Sequence, residues 1–284
     1  MANYRRGATL VLATLLCMAI PAASAESKKE FRYNVAAGAS VFITNQYGPV
    51  TVKAANGHQV LANATLHSDK VEVDGSQNGN RIELRTHFLQ RATDPEGRVD
   101  YEVQVPQDAS VTIHSSSGPI RVDKLRGDLT VDGDSAKVEV QDSGSGHIHV
   151  RTVNGPVTLA NITDGHVEIT SVSGDVTLNS VSGSKVAVNT TKGNIRYAGD
   201  FGSAGDYELM NHSGDIDVTL SASASVEVSA RSVSGSVQND FQFQPKEHTS
   251  FASTPGKSLI GTLNAGASAV RLRSFTGKIS VHKK

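Results

Sequence analysis

From Val111 onward, apolar and polar residues alternate in short bursts that return at a nearly constant interval. The unit is a glycine or other small residue, one further residue, then apolar–polar–apolar. It appears as Gly118-Pro119-Ile120-Arg121-Val122, Ala136-Lys137-Val138-Glu139-Val140, Gly155-Pro156-Val157-Thr158-Leu159 and Gly174-Asp175-Val176-Thr177-Leu178. It continues as Gly193-Asn194-Ile195-Arg196-Tyr197, Gly214-Asp215-Ile216-Asp217-Val218 and Gly235-Ser236-Val237-Gln238-Asn239. The first apolar positions are 120, 138, 157, 176, 195, 216 and 237, and a further 42 residues reach Ile279 in Gly277-Lys278-Ile279-Ser280-Val281. A second alternating series lies between these, at Leu129, Ile148, Val167, Val186, Tyr207 and Val226.

Two strand series sharing one period predict an all-β chain built as a parallel β-solenoid, a right-handed β-helix of about 19–21 residues per turn. Stacking successive turns ~4.8 Å apart puts equivalent residues above one another. Val157, Val176, Ile195 and Ile216 then form one inward ladder, and Leu159, Leu178, Tyr197 and Val218 another. The residue between each apolar pair points outward, because strand side chains alternate faces. Glycine at each corner answers a need for positive φ or close backbone approach.

Residues 26–106 have a different texture and are expected to form an N-terminal β region capping residues 107–284, continuous with them as one domain. Asn56-Gly57, Asp74-Gly75 and Asn78-Gly79 between alternating runs are hairpin signals. The period weakens between Asp240 and Ser258, where a loop or bulged turn laid over the open end is expected. No helical period longer than two turns follows residue 25. Residues 1–25 carry Arg5-Arg6, an apolar run from Ala8 to Ile20, and Ala23-Ser24-Ala25 before Glu26. That order reads as a secretory signal peptide with cleavage between Ala25 and Glu26. The implied location is periplasmic, cell-surface or secreted, and no later segment is apolar enough to span a bilayer.

Composition narrows the chemistry. Once residues 1–25 are removed, 25 Lys/Arg stand against 28 Asp/Glu, and no basic stripe exists to neutralise a nucleic-acid backbone. The only cysteine, Cys17, lies in the signal segment, so thiol nucleophiles, disulfides and zinc-thiolate sites are excluded from the mature chain. The chain holds no Trp and 26 Gly, and the missing indole argues against sugar stacking.

The succession of Asn45-Gln46-Tyr47-Gly48-Pro49-Val50, the strand Tyr101 to Pro106, Ser116-Ser117-Gly118-Pro119-Ile120, the recurrent Val-Ser-Gly turns and the terminal Arg271-Leu272-Arg273-Ser274-Phe275-Thr276-Gly277-Lys278-Ile279 carries a family resemblance. Over roughly Phe31 to Val281 the chain resembles the bacterial "putative adhesin" domain family, exported β-helix proteins of unknown function. The resemblance implies a non-enzymatic role in the cell envelope or outside the cell, and it carries no catalytic residue across.

The residues themselves offer few reaction centres. His147 and His149 flank Ile148, with His166 one turn on, but no carboxylate completes a ligand spacing. Asp132-Gly133-Asp134 and Asp142 lack calcium-loop spacing and read as turn residues. No metal and no cofactor are expected. Glu208 and Glu227 occupy outward slots on consecutive turns of the second series, so a stacked acidic pair is expected there, spaced as in a retaining glycosidase at ~5 Å. Thr158, Thr177, Arg196 and Asp217 form an outward column on the first series and are the candidate binding face. The leading expectation is a non-catalytic exported surface-contact or scaffold protein that meets glycans, envelope polymers or another envelope protein. The alternatives are a polysaccharide-acting β-helix enzyme (glycosidase or lyase) and an envelope-stress component binding a protein partner.

Overall fold

The computed structural model describes residues 26–245 and 254–284; the expected signal segment and its expected cleavage after Ala25 lie outside the described residues. Among these, the chain forms strands and turns without a helix, and the strands make two sheets of 12 each. The two expected strand series are the cores of those sheets. Along one, Val157 sits opposite Val176, Val176 opposite Ile195, and Ile195 opposite Ile216. Along the other, Leu129, Ile148, Val167, Val186 and Tyr207 follow in parallel register. These side chains are almost wholly buried and belong to one continuous core. β-Branched residues suit this arrangement, since each branched side chain packs on its copies above and below.

Corners repeat as faithfully as strands. From His147–Thr152 onward a buried Ser, Thr or Asn closes each parallel strand of the second series and bonds the glycine three residues on. Gly155 N–H donates to Thr152 Oγ1 at 2.9 Å, Gly193 N–H to Thr190 Oγ1 at 3.0 Å and Gly277 N–H to Ser274 Oγ at 2.8 Å. These glycines do not have positive φ. They are required by close approach: a Cβ on Gly174 would collide with the carbonyl of Gly155, and one on Gly193 with the carbonyl of Gly174. Only the first two glycines of this corner, Gly48 and Gly118, hold a positive φ of 103°; positive φ recurs at the opposite corner. There Lys124, Asp142, Asn161 and Ser180 hold φ between 51° and 61°, a region Asn and Asp enter at least cost among residues with side chains.

The N-terminal region differs from a simple cap of hairpins. Ser40–Asn45 lies parallel to Ser110–Ser115, and Val50–Ala55 parallel to Ile120–Asp123, so residues 40–55 already form a coil of the stack. Asn56-Gly57 makes no hairpin: the strand after it, Gln59–Leu66, pairs antiparallel with Ser27–Asn34 and Val99–Pro106, and the latter separates it from Val50–Ala55. Asp74-Gly75 lies within the strand Val71–Asn78, where the missing Cβ lets Phe31 and Tyr33 lie over the sheet. Asn78-Gly79 does turn a hairpin, into Arg81–Phe88. Antiparallel strands therefore end both sheets at this side, blunting edges that would template further pairing.

The largest departure is at the other end. The period places Val237 after Ile216 and Ile279 last. In the structure Ile279 pairs with Ile216 and Val237 pairs with Ile279, so the C-terminal strand Ile279–Lys283 lies between Ile216–Leu220 and Val237–Asn239. The companion strand Ser268–Ser274 likewise lies between Asp206–Asn211 and Val226–Ser232. Ser258 fills no ladder slot; it begins the strand Ser258–Leu263, which runs antiparallel along Val226–Ser232 and closes that sheet. Of the expected loop between Asp240 and Ser258, residues 246–253 lie outside the described residues.

Candidate functional site

Outward residues of the first series stack as the period requires. Thr158 faces Thr177, Thr177 faces Arg196, and Arg196 faces Asp217 on adjacent parallel strands. Arg121 and Glu139 extend the column toward the N-terminal end, with Arg121 Nε donating to Glu139 Oε2 at 2.8 Å. Lys137 also bonds Glu139, and the two cations hold its carboxyl below the usual range. Beside them, Thr51, Lys53, Glu102 and Asp123 line a shallow groove of about 550 Å³. The face is polar and of mixed charge.

The expected acidic pair is not assembled. Glu208 sits opposite Arg271, and Glu227 sits opposite Ala269 on the far side of the same strand. Two strand spacings, ~10 Å in all, separate their strands because the C-terminal segment enters between them. Arg273 approaches Glu208 at 3.6 Å, while Arg271 makes two bonds to Asp206 at 2.6 and 2.7 Å. Each carboxylate position thus has a basic or small neighbour where a second carboxylate was expected.

The histidines are outward, as the alternation requires. His147 packs on His166 with ring centroids 4.9 Å apart, and each of His147 and His149 has its own carboxylate, Asp128 at 3.5 Å and Glu168 at 3.4 Å. Among the described residues no three His, Cys, Asp or Glu side chains converge as a metal would need. Tyr197 and Tyr207 point inward and join Phe201 in a buried aromatic cluster, with Tyr197 Oη donating to the Val181 carbonyl at 2.9 Å.

Two surface features escaped the sequence. The residue after each corner Ser or Thr projects into solvent, so Val153, Val172, Phe275 and Val233 are 42–48% exposed along one edge of the stack. His212 stacks on Phe275 at 4.9 Å within that edge. The corner motif carries this signal once its register is known. The second feature is a groove of about 520 Å³ near the C-terminal end, which holds Arg231, Arg273 and Lys257. Arg231 and Arg273 are 42 positions apart in sequence, and only the inserted strand makes them neighbours.

Taken with its blunted ends and its in-register columns, the molecule is defined as a capped parallel β-solenoid with flat polar faces. The chain belongs to the Toastrack DUF4097 family, whose model matches residues 39–282. No curated protein matches it. Similar solved structures include a "putative cell adhesion protein" from Clostridium sporogenes ATCC 15579, at 13% identity and TM-score 0.30, covering 91% of this chain and 100% of that one. A "putative adhesin" from Parabacteroides distasonis ATCC 8503 is 13% identical at TM-score 0.42, covering 91% and 97%. Another from Parabacteroides merdae ATCC 43184 is 9% identical at TM-score 0.36, covering 90% and 96%.

Proposed function

We propose that the chain is an exported, non-catalytic solenoid that works by surface contact, as an adhesin or envelope scaffold. The observation that carries this reading is the outward column Thr158, Thr177, Arg196 and Asp217, four hydrogen-bonding side chains held in register on one flat face. A ladder repeating every ~4.8 Å offers a polymer many equivalent weak contacts, and multivalency turns such contacts into avidity. The tripartite segment ending at Ala25 supports export, and no helix among the described residues is long and apolar enough to cross a membrane. The exposed edge of Val153, Val172, Phe275 and Val233 adds apolar area of the kind contact surfaces use. Glycans, envelope polymers or another envelope protein are the partners this surface fits.

The test is binding of the purified chain to a panel of glycans and envelope polysaccharides, with product analysis on the same samples. Binding without depolymerisation, weakened at least tenfold by Thr177→Lys with Arg196→Glu, is expected. Depolymerisation abolished by Glu208→Gln or Glu227→Gln would contradict the reading and restore the enzyme.

A further inference from the structure

Parallel in-register strands make identical charges costly, because directly opposed like charges repel at one strand spacing. The chain accepts this at one point near its C-terminal end. Arg231 on the strand Val226–Ser232 sits opposite Arg273 on the strand Ser268–Ser274, with Cα atoms ~4.8 Å apart. Both side chains are exposed on the outward face and line the same groove of about 520 Å³. Lys257 enters that groove from the turn before Ser258–Leu263, and its ammonium reaches the Val233 carbonyl at 3.3 Å.

Neutralisation is incomplete. Arg273 has Glu208 at 3.6 Å, a long contact. Arg271, on the same strand, is fully engaged by Asp206, so Asp206 is not available to the groove. Among the described residues Arg231 makes no ion pair with a carboxylate, and Lys257 bonds a carbonyl alone. Among the described residues three cations thus share one carboxylate, on a chain of formal net charge −1. Ser229, Thr254 and Ser258 add hydroxyls to the same walls. Nothing in the solenoid pattern calls for this cluster; on the opposite sheet Arg121 is matched to Glu139 in the neighbouring slot.

We propose that this groove is a binding site for a tetrahedral oxyanion, a phosphate or sulfate group, gripped between the guanidinium groups of Arg231 and Arg273 with Lys257 completing the charge. Guanidinium forks match such oxyanions with paired N–H···O bonds, and a doubly charged group balances the excess that a single carboxylate would leave. The site lies on the other sheet from the Thr158–Asp217 column and does not depend on it.

Inorganic phosphate and sulfate, each titrated against the purified chain at constant ionic strength with chloride as control, provide the test. Both anions are expected to raise Tm where chloride does not. Arg231→Ala with Arg273→Ala should weaken the anions at least tenfold while leaving the anion-free Tm unchanged or higher, since a like-charge contact has been removed. Lys257→Gln, on a turn outside the stack, gives the same readout with little risk to folding. Polyphosphate and a sulfated glycan, compared with polygalacturonate, separate the polymer sources. The proposal is overturned by the absence of a phosphate or sulfate effect, by an effect that survives in the variants, or by polygalacturonate binding more tightly than either tetrahedral polymer.

Discussion

At the scale of single residues, what holds this chain in shape is spacing between backbones. The corner glycines lie one above another so closely that each position excludes a methyl group: Gly155, Gly174, Gly193 and Gly214 each face the carbonyl of the corner below. The expected cost of Gly174→Ala is therefore about 1–3 kcal/mol, the range for forcing atoms into a packed interior. Gly165→Ala, whose Cβ would meet nothing nearer than Ile162 Cγ2 at 3.3 Å, should cost less. Urea unfolding of the two variants checks the order, and equal losses would refute it. Buried tyrosines act at the same scale. Burial raises the phenols of Tyr101 and Tyr197 above their ordinary value. Both must be neutral in the folded chain, so the stability they contribute is complete below the unfolded value of about 10. It is lost as pH rises beyond that. Unfolding free energy should fall from about pH 10 upward, and Tyr101→Phe, which removes one of the phenols, should soften the fall. A stability independent of pH in that range would contradict this account.

At the scale of strands, the alternating pattern told which segments are strands and which of their side chains point inward, because period 2 within a strand and about 19 between strands both follow from stacking. It did not tell the order in which the last coils stack. Gly235-Ser236-Val237 and Gly277-Lys278-Ile279 carry the same signature, and both satisfy the slot above Ile216; the choice rests on contacts between segments far apart in the chain. The same blindness affected the N-terminal region. Val50–Ala55 pairs with Ile120–Asp123 across an excursion of more than 60 residues, and Asn56-Gly57, a good hairpin signal by composition, serves only to leave the coil. The acidic pair failed for this reason too. Glu208 and Glu227 both point outward, but the strand Ser268–Ser274 stands between them and they meet it two residues out of register, Glu208 at Arg271 and Glu227 at Ala269. The column Thr158 to Asp217 was legible because every strand it crosses follows its neighbour directly in the stack.

At the scale of the molecule, coil order decides what the surface offers. With the C-terminal segment inside the stack, Arg271 faces Glu208, Arg273 faces Arg231, and the final coil is sealed by an antiparallel strand. With that segment outermost and the register kept, Glu227 would face Asp206, Glu208 would face Ser229, Arg231 would face Met210, and the oxyanion groove would not exist. With antiparallel strands ending both sheets at the N-terminal side and one sheet at the C-terminal side, the solenoid presents its faces and one exposed edge, and a contact function rests on those surfaces. Residues 26–284 contain no cysteine, which makes the decisive measurement simple. Met210 and Arg273 lie in register on neighbouring strands, whereas Met210 and Arg231 are two strands apart. Adjacent parallel strands bring Cα atoms to ~4.8 Å, within the span a disulfide bridges, and two strands do not. Oxidation of Met210→Cys with Arg273→Cys should yield an intramolecular disulfide, and Met210→Cys with Arg231→Cys should stay reduced. The reverse result would place the C-terminal strand at the end of the stack and contradict the surface described.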